Sequence, residues 1–256
     1  GKRAIDYFAD KFDDPMMYAQ AVKSVSVPTQ SILFNIDIEG PLTKDKTAVL
    51  RVFAKMFYNH CGFYGDDLKI AKLERFIEKQ GKTQQFREAF EKVNGAPWTE
   101  TRDSFAFFED DIVSVLQSTL GMSEQAARNW FNGEETNELS IAQLVADIQE
   151  YVDGKGKDFR LLFMVDEVGQ YIGDDGDLMI NLQSLVEEIG IRCHGKVWVM
   201  VTSQEAIDSV VHITGNDFSK IQGRFNTRLS LSSSSVDEVI KKRVLAKTDA
   251  ADQLLR

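Results

Sequence analysis

Phe159-Arg160-Leu161-Leu162-Phe163-Met164-Val165-Asp166-Glu167 is the stretch that decides the fold. Five apolar residues in succession, Leu161 to Val165, are followed at once by two acids. A run this short and continuously apolar reads as a strand buried on both faces, as in a parallel sheet covered by helices. The two carboxylates then emerge at the carboxyl end of the strand, where open α/β sheets place their ligands.

Three more strands are expected around it. Ser31 to Glu39 begins apolar and then alternates, with Phe34, Ile36 and Ile38 on one face and Asn35, Asp37 and Glu39 on the other, until Gly40-Pro41 stops it. That alternation suits an edge strand or one with a face near solvent, and Asp37 and Glu39 read as solvated strand-end acids before they read as parts of a nucleotide site. Lys196 to Val201 is a third strand, opened by Gly195 and ending in Thr202-Ser203-Gln204-Glu205. Residues 218–231 run from a helical turn into a fourth, alternating strand through Leu229 and Leu231.

Between the first two strands, residues 43–152 carry helical periodicity throughout. Val49, Leu50, Phe53, Met56 and Phe57 make one stripe, and Ile112, Val115, Leu116 and Leu120 another. Leu68, Leu73, Phe76 and Ile77 form a further stripe, and Ser140 with Gln143 makes a capping box ahead of Leu144, Val145, Ile148 and Val152. A crossover between parallel strands needs only about a dozen residues, so this is a helical insertion. Its aromatics (Phe86, Phe90, Trp98, Phe105, Phe107, Phe108, Trp130, Phe131) read as core rather than as a docking surface. The expected architecture is an α/β domain with a parallel sheet. Residues 1–40 start the core, 41–155 form the insertion, and 156–256 return to the core.

Composition narrows the function classes. Apolar residues make up 43% and charged residues 27%, ordinary for a globular protein, and no apolar stretch is long enough to span a bilayer. A net charge of −10 argues against broad nucleic-acid binding. Cys61 and Cys193 lack metal-ligand spacing and suit burial in a reducing cytoplasm, and His60, His194 and His212 make no zinc pattern. Gly1-Lys2-Arg3 runs straight into a helical pattern, which reads as a piece of a longer protein, and Pro15 suits the first turn of a helix.

The chemistry concentrates at strand ends. An apolar strand closing on two acids is the Walker B pattern of P-loop nucleotide hydrolases. There the first acid, here Asp166, holds Mg²⁺, and the second, here Glu167, orients and deprotonates the attacking water. Thr202 or Ser203, at the tip of a neighbouring strand, is placed to hydrogen-bond that water or the γ-phosphate, as sensor 1 does in AAA+ ATPases; Ser203 equally suits a helix cap. Arg224, before the fourth strand, matches the position of an arginine finger that reaches a neighbouring subunit, with Arg228 as the alternative. Gly81-Lys82-Thr83 imitates the end of a phosphate loop, but Phe76 stands where that loop needs glycine, and the segment follows a charged helix, so Gly81 reads as a helix C-cap. No other G-x-x-x-x-G-K-[ST] occurs. Asp174, Asp175 and Asp177 form an acidic turn without the spacing of a calcium loop. Ser235 and Glu238 make a capping box for a last helix, whose Lys241-Lys242-Arg243 reads as a solvated face.

The wording of four segments resembles one family in particular. Gly1-Lys-Arg-Ala-Ile-Asp-Tyr-Phe8, Ile32-Leu-Phe-Asn-Ile-Asp37, Phe163-Met-Val-Asp-Glu-Val-Gly-Gln-Tyr-Ile172 and Val197-Trp-Val-Met-Val-Thr-Ser-Gln-Glu205 look like the BrxC/PglY proteins, large P-loop ATPases of the bacteriophage exclusion (BREX) defence systems. The resemblance spans nearly the whole chain, and its most specific blocks are Asp166 to Tyr171 and Val201 to Glu205. It implies an internal piece of an AAA+-like ATPase module whose Walker A loop lies upstream. It also implies ATP and Mg²⁺ as cofactors, a homo-oligomer, BREX partners including a DNA methyltransferase, and indirect action on DNA. Two rivals stand beside this expectation: a nucleotide-gated signalling switch with slow turnover, and a non-enzymatic scaffold in which Asp166 and Glu167 only end a strand.

Overall fold

β1 (Thr29–Asn35), β2 (Arg160–Asp166) and β3 (Val197–Val201) form a parallel sheet in that order, so the stretch that anchors the fold is the middle strand. The computed structural model describes residues 4–7, 9, 12–41, 43–132 and 139–203, with Phe225, Thr227, Leu229 and Ile240 singly. The chain divides into two compact units, Gly1–Phe218 and Ser219–Arg256, and every element below belongs to the first. The expected fourth strand, Arg224, Arg228 and the helix after Ser235 fall outside the described elements.

Register aligns the strand ends. Thr29 lies opposite Arg160 and Asn35 opposite Asp166, while Leu161 lies opposite Val197 and Val165 opposite Val201. Side chains alternate across such a sheet. Ile32, Phe34, Leu161, Phe163, Val165 and Val197 are buried on one face. On the other, Leu162 and Met164 are half-buried, and Leu33, Trp198 and Met200 are exposed. The expectation that β2 is buried on both faces is therefore corrected. Two helices, α3 (Ala48–His60) and α11 (Gly176–Arg192), pack on the first face. Among the described residues nothing buries the second to the same depth.

The strand expected over Ser31 to Glu39 is also shorter. It ends at Asn35, and Ile36–Glu39 is a single helical turn, α2. The cause is local: the Asn35 side-chain oxygen accepts from the amides of Asp37 at 2.9 Å and Ile38 at 3.2 Å, an N-cap that ends the extended run. A helical turn sends residues two apart in opposite directions, so Ile36 is fully buried while Ile38 is 77% exposed.

Upstream of β1, α1 (Pro15–Val25) has proline in its first turn and Asp14 as N-cap, accepting from the amide of Met16 at 2.8 Å. The insertion between β1 and β2 is helical as expected. After α3 it contains α4 (Leu68–Lys79), α5 (Thr83–Asn94), α6 (Trp98–Thr101), α7 (Glu109–Leu120), α8 (Glu124–Asn132) and α9 (Ile141–Gly154). Part of it has a core of its own, in which Phe86 and Phe90 pack edge-on against Trp98 at 5.2 and 5.0 Å, with Ile70, Leu73, Ile112 and Leu116. Of the aromatics expected there, Phe107 is the exception, 87% exposed. Gly81 sits at φ 66° just past α4 and Thr83 opens α5, so Gly81-Lys82-Thr83 is a turn between two helices. Ser140 caps α9 through the amide of Gln143 at 3.1 Å, but the Gln143 side chain turns to Asp147 at 2.8 Å instead of closing the box.

Two buried acids are fully engaged. Glu74 accepts from the Trp98 indole at 2.7 Å and from Arg102 at 2.9 Å. Asp147 accepts from the Tyr58 hydroxyl at 2.8 Å and pairs with Arg75, tying α3, α4 and α9 together. Such partners offset the cost of burying a carboxylate. β2 leads into α10 (Val168–Ile172) and then α11, which Asp175 caps by accepting from the amides of Asp177 and Leu178 at 3.0 and 3.1 Å. That settles one member of the acidic turn as a cap. Among the described residues no helix is long and apolar enough to cross a membrane.

Phe53 joins the insertion to the sheet: its ring meets Phe34 edge-on at 5.5 Å and Phe163 at 5.3 Å, and it is fully buried. Phe53→Ala should cost about 3–5 kcal/mol in urea unfolding, the range for losing a core phenylalanine. Of the two cysteines expected to be buried, Cys193 is, whereas Cys61 is only half-buried. Burial pushes the Cys61 thiol up to about 12, with Glu78 adding to it, and the Cys193 thiol up to about 11. Both therefore stay protonated near neutral pH, and the folded chain should react with a thiol reagent at pH 8 far more slowly than the urea-unfolded chain.

Candidate functional site

The parallel register brings three strand ends to one level, and a polar cluster forms there. Asp166 closes β2 with its side chain exposed. Glu167 follows in the left-handed region, at φ 61° and ψ 30°. A non-glycine residue there costs about 1–2 kcal/mol, and such strain gathers where side-chain placement matters more than stability.

Thr202 explains how the turn is held. Its amide donates to the Val165 carbonyl at 2.9 Å and its carbonyl accepts from the Val168 amide at 3.0 Å, so it continues the ladder past the end of β3. Its hydroxyl then falls between the two acids, donating to the Asp166 carboxylate and accepting from the Glu167 amide at 3.2 Å. Thr202 is thus a bridge within the acidic pair. Ser203 is next along, half-buried, with its hydroxyl oxygen buried and without a hydrogen-bond partner among the described residues.

The third strand end contributes Asn35. Its amide nitrogen donates to Glu167 Oε2 at 2.7 Å while its oxygen caps α2. Sequence reasoning placed Asn35 on a strand face and gave it no role. The missed signal is its register opposite Asp166. Asp37 and Glu39 are engaged elsewhere: Asp37 lies 3.9 Å from Lys44, and Glu39 pairs with Lys55 at 2.8 Å. That favours their reading as strand-end acids held by the surface. Among the described residues, no lysine or arginine forms an ion pair with Asp166 or Glu167.

The donor set can be tested against a metal. Among the described residues no group of three or more His, Cys, Asp or Glu side chains converges. One or two carboxylates with a hydroxyl suit Mg²⁺, which keeps several waters and takes its remaining oxygens from phosphates. Two cavities lie in the insertion, of about 120 Å³ beside Cys61, Glu74 and Trp98 and about 410 Å³ beside Phe107 and Arg128, and neither is lined by a strand-end residue. No protein-family model matches the chain, and no solved structure matches it at a significant level.

Backbone strain at Glu167 yields a direct test of whether this acid serves the fold. Glycine adopts φ 61° freely, so Glu167→Gly recovers about 1–2 kcal/mol of strain and gives up one part-buried hydrogen bond worth about 1 kcal/mol. Urea unfolding should show unchanged or slightly higher stability. A loss beyond about 2 kcal/mol would make the carboxylate a structural group.

Proposed function

We propose that the strand-end cluster is the water-activating half of an ATP-hydrolysing centre of AAA+-like type, in a BREX-like phage-defence ATPase. The observation that carries the reading is the placement of Asp166 and Glu167 at the carboxyl end of the middle strand, flanked by Asn35 and Thr202 from the two neighbouring strand ends. In this reading the phosphate-binding loop is supplied by polypeptide outside residues 1–256, since the chain has no G-x-x-x-x-G-K-[ST]. Mg²⁺, when bound, neutralises charge on the phosphates, and Asp166 holds it.

Each residue then has a defined task. Thr202 orients Asp166 and fixes the backbone of Glu167. Glu167 takes a proton from the attacking water through its Oε atoms. Asn35 holds that carboxylate until nucleotide engages. Thr202 or Ser203 meets the γ-phosphate; the Thr202 hydroxyl first has to leave Asp166, and the buried Ser203 hydroxyl has to turn outward. Arg224, or Arg228, acts on a neighbouring subunit, and hydrolysis drives rearrangement in a homo-oligomeric complex that works with a methyltransferase on DNA. The Asn35–Glu167 hydrogen bond also favours a second reading, a nucleotide-gated switch with slow turnover.

Glu167→Gln in the ATPase that carries these residues decides the matter. The substitution removes the base and keeps the shape, so ATP hydrolysis should fall about a hundredfold or more while ATP binding is retained. Unchanged hydrolysis would overturn the proposal. Loss of hydrolysis with phage defence intact would select the switch.

A further inference from the structure

Two short helical turns, α2 after β1 and α10 after β2, are joined by contacts that the hydrolysis chemistry does not use. Lys44, in the segment entering the insertion, donates from Nζ to the Tyr171 carbonyl at 2.9 Å and lies 4.1 Å from the centre of the Tyr171 ring. The ring is buried, 2% exposed, although its hydroxyl has no hydrogen-bond partner. It packs close against Gly40 at the end of α2: a Cβ there would stand 2.6 Å from Tyr171 Cε2, 2.7 Å from the Ile36 carbonyl oxygen and 2.8 Å from the Tyr171 hydroxyl. Gly40 has ordinary extended torsions, φ −72° and ψ 155°, so close approach is what calls for glycine.

These contacts close a ring. The Tyr171 amide donates to the Glu167 carbonyl at 3.1 Å, Glu167 accepts from Asn35, and Asn35 caps α2, whose last turn is sealed by the Gly40 amide on the Ile36 carbonyl at 2.9 Å. Gly40 meets Tyr171, and Lys44 fastens Tyr171 from outside. A loop closed by hydrogen bonds at most steps and by close packing at Gly40–Tyr171 has few ways to relax one member alone. Loosening Tyr171 frees the carbonyl side of Glu167, and lifting α2 withdraws Asn35.

We propose that Gly40, Lys44 and Tyr171 are positioning residues that lock Glu167 onto Asn35, so that the segment entering the helical insertion sets whether the Glu167 carboxylate is held or released. The inference rests on the proposed function only for what the released carboxylate then does. The lock itself is a property of these residues. The segment leads directly into α3, which packs on the sheet through Phe53.

The test reads the lock without nucleotide, by solvent exchange of the Asn35 side-chain amide protons in isotope-labelled chain. Lys44→Met removes the fastening from a half-exposed side chain and should speed that exchange about tenfold, the loss of one charge-assisted hydrogen bond. Gly40→Ala, which wedges α2 from α10, should do the same. Lys44→Arg should restore slow exchange, and Tyr171→Phe, which deletes only an unpartnered hydroxyl, should match the parent. Unchanged Asn35 exchange in Lys44→Met overturns the proposal, and that variant decides the question if Gly40→Ala fails to fold. Since no ATP enters, a negative result here leaves the hydrolysis reading standing, and failure of the Glu167→Gln test leaves this one standing.

Discussion

The parallel pairing of β2 with a neighbour on each side is the constraint on which everything else depends. Parallel strands point their carboxyl ends the same way, and here the register sets Asn35 opposite Asp166 and stops β3 one residue short of Thr202. Residues 35, 166 and 202 are far apart in the chain, yet they share one hydrogen-bonded cluster because the ladder leaves them no other level. Shifting β2 by one residue would turn Leu161, Phe163 and Val165 out of the core and carry Asp166 away from Thr202 at once. Hydrophobic burial and site geometry are thus enforced by the same hydrogen bonds.

Much of this was legible in the residues, and the failures have physical causes. Leu161 to Val165 announced a strand, and the two acids after it stand at its carboxyl end as expected. The helical insertion was readable from stripes such as Val49, Leu50, Phe53 and Phe57, which are buried in α3. The depth of β2 was misread because Leu162 and Met164 are apolar although their face is only half-covered, and sequence pattern cannot tell a covered apolar face from an open one. The end of β1 was misread because a side-chain cap from Asn35 competed successfully with continued extension.

Asn35 itself was invisible as a site residue for a different reason. An asparagine in a strand carries no chemistry in isolation, and its bond to Glu167 spans 132 positions of chain. Thr202 and Ser203 are alternatives for the attacking water or the γ-phosphate in the sequence, and the hydrogen bond from the Thr202 hydroxyl to Asp166 is something only geometry reveals. The left-handed torsion of Glu167 has no sequence signature either, and glutamate is a poor choice for it on propensity alone.

The insertion and the site also share a boundary. Asn35 ends the strand that leads into α2, and residues 40–47 then carry the chain into α3, so the helices between β1 and β2 follow the strand end that holds the Glu167 carboxylate.

The most direct measurement of the central claim is a crystal structure of the ATPase that carries these residues, with Mg²⁺ and a non-hydrolysable ATP analogue. The account predicts the metal beside the Asp166 carboxylate and Glu167 facing the γ-phosphate. Nucleotide bound at another surface, with Asp166 and Glu167 remaining on Thr202 and Asn35, would contradict it.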